Sequence, residues 1–153
     1  MKKLIFGLLT AFIFTAFCVL QANAQTVSGS IGTVKRGGST RGTIVLSLPS
    51  ELHVNSNRPS GETLIPTRVS VTAAGAKVSG VTYPRGKNRR FAFSEDTLNV
   101  YEGSTAFGFN LTVPATFKGN AVKVRAVVRY QACTNEVCYP PKSKEITLTA
   151  KVQ

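Results

Sequence analysis

Apolar and polar residues alternate with a period of two along much of the chain. The clearest run is Val122, Val124, Ala126, Val128 and Tyr130, with Lys123, Arg125 and Arg129 on the other face and Val127 the apolar exception. Such alternation predicts a strand with one face in a core and one in water. Phe107, Phe109, Leu111 and Val113 share a face in the same way, opposite Gly108, Asn110 and Thr112. Ile146, Leu148, Ala150 and Val152 give a last strand. Thr43–Leu48, Thr67–Ala73 and Val78–Tyr83 give earlier ones, the third interrupted by Gly80. No window shows a sustained helical period with capping residues.

Turn-forming clusters separate these strands at short intervals, among them Gly37-Gly38, Pro59-Ser60-Gly61, Pro84-Arg85-Gly86 and Lys118-Gly119-Asn120. Glycine and proline there set backbone angles that a strand does not use. Short strands at regular spacing predict an all-β chain: a single immunoglobulin-like β-sandwich of antiparallel strands. The Trp and the widely spaced Cys pair of antibody domains are absent.

Residues 1–24 break the pattern. Lys2 and Lys3 precede an apolar stretch, Leu4–Leu20, and Ala22-Asn23-Ala24 supplies small residues around a cleavage point. This predicts a secretory signal peptide cleaved after Ala24, leaving a domain of residues 25–153 in the periplasm or outside the cell. The apolar stretch is at the short end for spanning a bilayer. Bulky Phe17 before Cys18 makes a poor lipidation site, so Cys18 is expected to leave with the signal.

The chain has 19 Lys and Arg against 7 Asp and Glu, a formal net charge of +12 from which removal of Lys2 and Lys3 takes two. Nucleic acid is the usual partner of such a charge, but export leaves none expected. An acidic protein surface or anionic envelope material fits better. The basic run Arg85-Gly-Lys-Asn-Arg-Arg90 reads as a solvated turn, with docking of an acidic partner as its functional alternative.

Without Cys18 two cysteines remain, in the run Tyr130-Gln-Ala-Cys-Thr-Asn-Glu-Val-Cys-Tyr-Pro-Pro141. The segment joins two expected antiparallel neighbours, and Pro140 and Pro141 cannot donate to a ladder, so it should sit near an exposed sheet end. In an oxidising compartment the pair is a structural bridge or a redox-active one. A bridge across so short a loop restrains little chain entropy, about 2 kcal/mol, against more than about 4 for one spanning a domain. That favours exchange over stapling. Lys142, Lys144 and Arg129 favour a thiolate and Glu136 opposes it.

His53 is the sole histidine. A catalytic triad built on it lacks an identifiable nucleophile and acid, so packing or hydrogen bonding on a strand is the expected role. Two thiols and one imidazole also suit copper(I), whereas zinc would want a fourth ligand. No cofactor or resident metal is expected. Three readings stay open: a redox relay, a secreted binding module with a structural disulfide and a basic docking surface, and a copper-handling protein.

Tyr-Gln-Ala-Cys, a short polar loop and Cys-Tyr-Pro-Pro resemble the signature of the N-terminal periplasmic domain of the thiol:disulfide interchange protein DsbD. Looser similarity extends through Lys144–Leu148 and back to Leu52-His53-Val54 and Leu64-Ile-Pro-Thr67. The resemblance implies an immunoglobulin-like sandwich that exchanges disulfides with thioredoxin-fold partners. It implies that Cys138 forms the mixed disulfide and that Cys133 resolves it. It also implies an aromatic cap, for which Phe93 is the candidate and Phe91 the alternative, with ordinary core packing the competing role. Tyr130 and Tyr139 flank the thiols and are expected to help exclude water. The loop between the cysteines is one residue shorter than in the best-known members. The chain ends at Gln153 without a membrane conduit or thioredoxin-like domain, so a stand-alone domain is expected to find its electron donor, for which a membrane protein is one candidate, and its acceptor in other proteins.

Overall fold

The computed structural model describes residues 25–153, and the expected signal peptide lies outside them. Eleven strands run in chain order: β1 Thr26–Ile31, β2 Ser39–Ser47, β3 His53–Asn55, β4 Arg68–Ala73, β5 Lys77–Val78, β6 Lys87–Arg89, β7 Leu98–Glu102, β8 Ser104–Thr112, β9 Ala121–Tyr130, β10 Ala132–Cys133 and β11 Lys142–Lys151. They form three antiparallel sheets ordered β1-β2-β8-β5, β10-β3-β7-β6 and β11-β9-β4. The all-β sandwich expected from the alternation is present.

The stripes behave as their spacing requires. Val122, Val124, Ala126, Val128 and Tyr130 are buried, as are Phe107, Phe109, Leu111 and Val113. They meet Ile44 and Leu46 of β2, Val54 of β3 and Tyr101 of β7 in one hydrophobic core. Ile146 and Leu148 are only half-buried, because β11 is an edge strand, lying beside β9.

Several strands escaped the pattern, β1, β6 and β7 among them. β6 is exposed throughout and β1 half-buries only Val27 and Ile31, four residues apart, so no period-two stripe marks either. The run Arg85–Arg90, read as a solvated turn, instead contains edge strand β6, paired with β7 through Lys87–Val100, Asn88–Asn99 and Arg89–Leu98. The Asn99 amide donates to Asn88 Oδ1 at 2.8 Å across that pair. Conversely, the strand expected over Val78–Tyr83 is largely broken. Only Lys77–Val78 pairs with β8 as a strand, Thr82 rejoins it by an isolated bridge to Gly108, and the Tyr83 hydroxyl accepts from the Val69 N–H at 2.8 Å.

Gly42 faces Phe109 across the β2–β8 ladder. A Cβ there would fall within the Phe109 ring, so the glycine leaves the space that the ring fills. Gly42→Ala is expected to destabilise the domain by about 1–3 kcal/mol through overpacking. Urea denaturation would read this as a lower midpoint at unchanged slope.

Candidate functional site

The site begins where the chain changes sheets. β9 pairs along its length with β4 and β11, and after Gln131 the chain moves across to pair with β3 as β10. The register sets Ala132 opposite Val54 and Cys133 opposite His53. Beyond β10 the chain reverses through Thr134–Val137, where the Thr134 N–H donates to the Val137 carbonyl at 2.8 Å. Thr134 Oγ1 accepts from the Glu136 and Val137 amides at 3.2 and 3.1 Å, a side-chain turn that replaces lost ladder bonds. The Tyr139 N–H then donates to the Ala132 carbonyl at 2.8 Å.

These bonds leave Cys133 and Cys138 as a directly opposed pair without mutual backbone bonds, where side chains approach most closely. Their sulfurs are bonded, with the Cα atoms 4.0 Å apart. The two ends differ sharply. Cys133 is 1% exposed, whereas Cys138 lies on the solvent side of the hairpin. An incoming nucleophile can reach one cysteine and not the other.

His53 pairs on its other side with Glu102 of β7. Residues directly opposed in a sheet share a face, so Cys138, Cys133, His53 and Glu102 form one cross-strand row. Arg89 of β6 donates to both Glu102 carboxylate oxygens, at 3.0 and 3.1 Å, and Lys87 lies 3.5 Å away. The Arg89 guanidinium, with Lys87, holds the Glu102 carboxyl below the usual carboxylate range. His53 itself is buried, and its Nε2 has no hydrogen-bond partner.

The segment after β6 covers His53. The Phe91 ring stacks on the His53 imidazole, centroids 3.8 Å apart and planes 9° from parallel. Phe93 lies farther out, 6.2 Å from His53 and 5.5 Å from Phe91. Of the two expected cap residues, Phe91 is the one against the row and Phe93 its exposed extension. Tyr130 is fully buried in the core, its hydroxyl 3.5 Å from Gln25 Oε1. Tyr139 is exposed, with its carbonyl accepting from the Gln131 amide. Among the described residues the large exposed hydrophobics are Phe93 at 38%, Val137 at 54% and Tyr139 at 44%. Val137 and Tyr139 immediately precede and follow Cys138, and Phe93 ends the aromatic stack on His53.

The family resemblance puts His53 on a strand near the thiol loop, but its direct pairing with Cys133 and the place of Glu102 beside it could not be read from the sequence, since three separate strands bring them together. No group of three or more His, Cys, Asp or Glu side chains among the described residues is placed to hold a metal ion.

Burial pushes the His53 pKa below its ordinary 6.5, and Glu102 only partly offsets this. The unfolded chain therefore takes up a proton at a pH where the folded chain resists it. The contribution of His53 to stability is complete above about 6.5 and is lost as pH falls from there toward the folded value. Urea midpoints are expected to be lower at pH 5.5 than at 7.5, with His53→Gln removing most of that difference.

Fold and site together define an immunoglobulin-like sandwich whose exposed hairpin carries a disulfide, with one cysteine opposed to a histidine stacked under Phe91. Residues 23–150 match the family model of the thiol:disulfide interchange protein DsbD, N-terminal, and the chain belongs to this family. It is 26% identical over 98 residues to the thiol:disulfide interchange protein DsbD of Actinobacillus pleuropneumoniae, covering 64% of this chain and 16% of that protein. The chain thus spans a small part of its curated relative. The N-terminal periplasmic domain of ScsB from Proteus mirabilis is similar in fold, at a TM-score of 0.52 and 16% identity, over 82% of this chain and 45% of that one. The DsbD N-terminal domain from Neisseria meningitidis, solved with the PilB N-terminal domain, gives 0.49 and 13% over 79% and 80%.

Proposed function

We propose that this domain is an exported redox relay, passing electrons by thiol–disulfide exchange between its Cys133–Cys138 pair and thioredoxin-fold partners. The observation that carries the reading is the asymmetry of the disulfide. Cys138 faces solvent between exposed Val137 and Tyr139, while Cys133 is buried within the cross-strand row. A partner thiolate attacks Cys138 Sγ, the bond between the two cysteines breaks, and Cys133 departs as the thiolate. Attack by the partner's second thiol on the mixed disulfide then releases the reduced domain and an oxidised partner. Exposed apolar residues around a reactive sulfur suit a transient protein contact. Family membership supports the same reaction, and the leader pattern supports a periplasmic location with cleavage after Ala24.

A structural bridge would need to restrain more than the few residues between Thr134 and Val137. The test is the reduction potential of the pair, equilibrated in glutathione or dithiothreitol buffers and read by alkylation and mass spectrometry. A value between roughly −120 and −270 mV is expected of an exchange domain, whereas one below about −300 mV would mark an inert staple.

A further inference from the structure

We propose that His53 acts as the general base for Cys133, taking that thiol's proton when Cys133 closes the disulfide and expels a bound partner. This deepens the exchange reading and rests on it. Three observations carry it. Cys133 and His53 are directly opposed across β10 and β3, which places their Cβ atoms about 4.5–5.5 Å apart on one face. Nε2 is buried without a partner, a state that costs about 1–3 kcal/mol and calls for a functional reason. The Phe91 stack fixes the plane of the ring.

In this structure the sulfur of Cys133 is bonded to Cys138 and has no proton to give. Reduction changes that, because the freed thiol is a donor beside a nitrogen that lacks one. In the resolving step Cys133 Sγ–H transfers its proton to Nε2, giving a thiolate and an imidazolium. The thiolate attacks Cys138 Sγ in the mixed disulfide, a Cys133–Cys138 bond forms, and the bond to the partner breaks. The electron pair leaves on the partner's sulfur as a thiolate, which takes the proton from the imidazolium through solvent. The domain is oxidised and the partner reduced.

The surroundings suit a base that starts neutral. Burial favours the uncharged imidazole, as its lowered pKa reflects. From β7 Glu102 faces it and would steady the imidazolium, while Arg89 and Lys87 of β6 neutralise that carboxylate in the resting state. From β10 Cys133 faces it, and the segment after β6 offers the uncharged rings of Phe91 and Phe93.

Because His53 is the sole histidine, its ring protons report on it without ambiguity. The experiment is an NMR pH titration of the imidazole in the oxidised protein, the reduced protein and reduced Cys133→Ala. Reduction is expected to move the midpoint by about one unit or make the curve biphasic, and Cys133→Ala to restore the oxidised curve. A purely packed histidine would titrate alike in all three, and superimposed curves would overturn the inference. Closure of the reduced pair by oxidised glutathione gives a second reading. His53→Gln is expected to slow it about a hundredfold at pH 7 and flatten its pH profile, the lower end of general-base effects. An unchanged closure rate and profile would count against the base role. If curves couple but no thioredoxin-fold protein exchanges with the domain, the relay reading falls while the His53–Cys133 pair stands. If exchange proceeds and the curves superimpose, only the role of His53 falls.

Discussion

Cys133→Ala is expected to trap a mixed disulfide with a thioredoxin-fold probe, and Cys138→Ala to form none. The reason is access. Cys138 lies on the solvent side of the hairpin, and Cys133 is almost wholly covered by the pairing with β3. With Cys133 replaced, the thiol at 138 still attacks the probe, and where the probe's own second cysteine is also replaced no thiol remains to expel it, so the adduct accumulates. With Cys138 replaced, the remaining sulfur cannot be reached in line, and transfer is lost altogether. Incubation with a single-cysteine thioredoxin activated as its thionitrobenzoate disulfide, whose thionitrobenzoate leaves on attack, followed by non-reducing electrophoresis separates the outcomes. A stable adduct from Cys138→Ala would reverse the roles assigned to the two sulfurs. Neither variant should unfold the domain, since a bridge over so short a loop contributes little to stability.

Phe107→Ala is expected to have the largest effect on stability. The ring is fully buried and meets Tyr83 and Tyr101 edge-on, with centroids 5.5 and 5.8 Å away. Truncation removes its burial, leaves a cavity and takes away both aromatic contacts, together costing about 3–5 kcal/mol. Native domains have only about 5–15 kcal/mol in total, so thermal unfolding should occur on the order of 10 °C lower. The loss also reaches the site. Tyr101 precedes Glu102 on β7, and its hydroxyl donates to Asn57 Oδ1 at 2.7 Å. A loosened Tyr101 would disturb the strand that faces His53. A melting temperature within a few degrees of wild type would show that the core repacks around the gap.

Much of the molecule could be read along the chain because strands with one buried face write themselves as alternation. β8, β9 and β2 were expected within a few residues of their observed ends. The hairpin site was legible for a related reason: Cys133, Cys138 and the prolines after them are close in sequence, so local geometry alone brings the thiols together. β6 was not legible because a strand exposed on both sides needs no apolar residues, and β1 because it half-buries only Val27 and Ile31. Backbone ladders hold them, with the Arg89–Glu102 ion pair added at β6. Phe91 and Phe93 could be nominated as a cap from the family resemblance, but their spacing did not say which ring would lie against the site.

The sandwich class, the main core faces and the hairpin that joins the thiols each depend on periods and spacings within short segments, and so could be read along the chain. Tertiary structure alone decided that Cys133 is covered and Cys138 open. It also decided that His53 stands beside Cys133 and that Glu102 stands beside His53. Those neighbours come from β3, β7 and β10, far apart along the chain. Their register is set by how the whole sheet packs on the core, because a slip of one residue would turn each side chain to the opposite face.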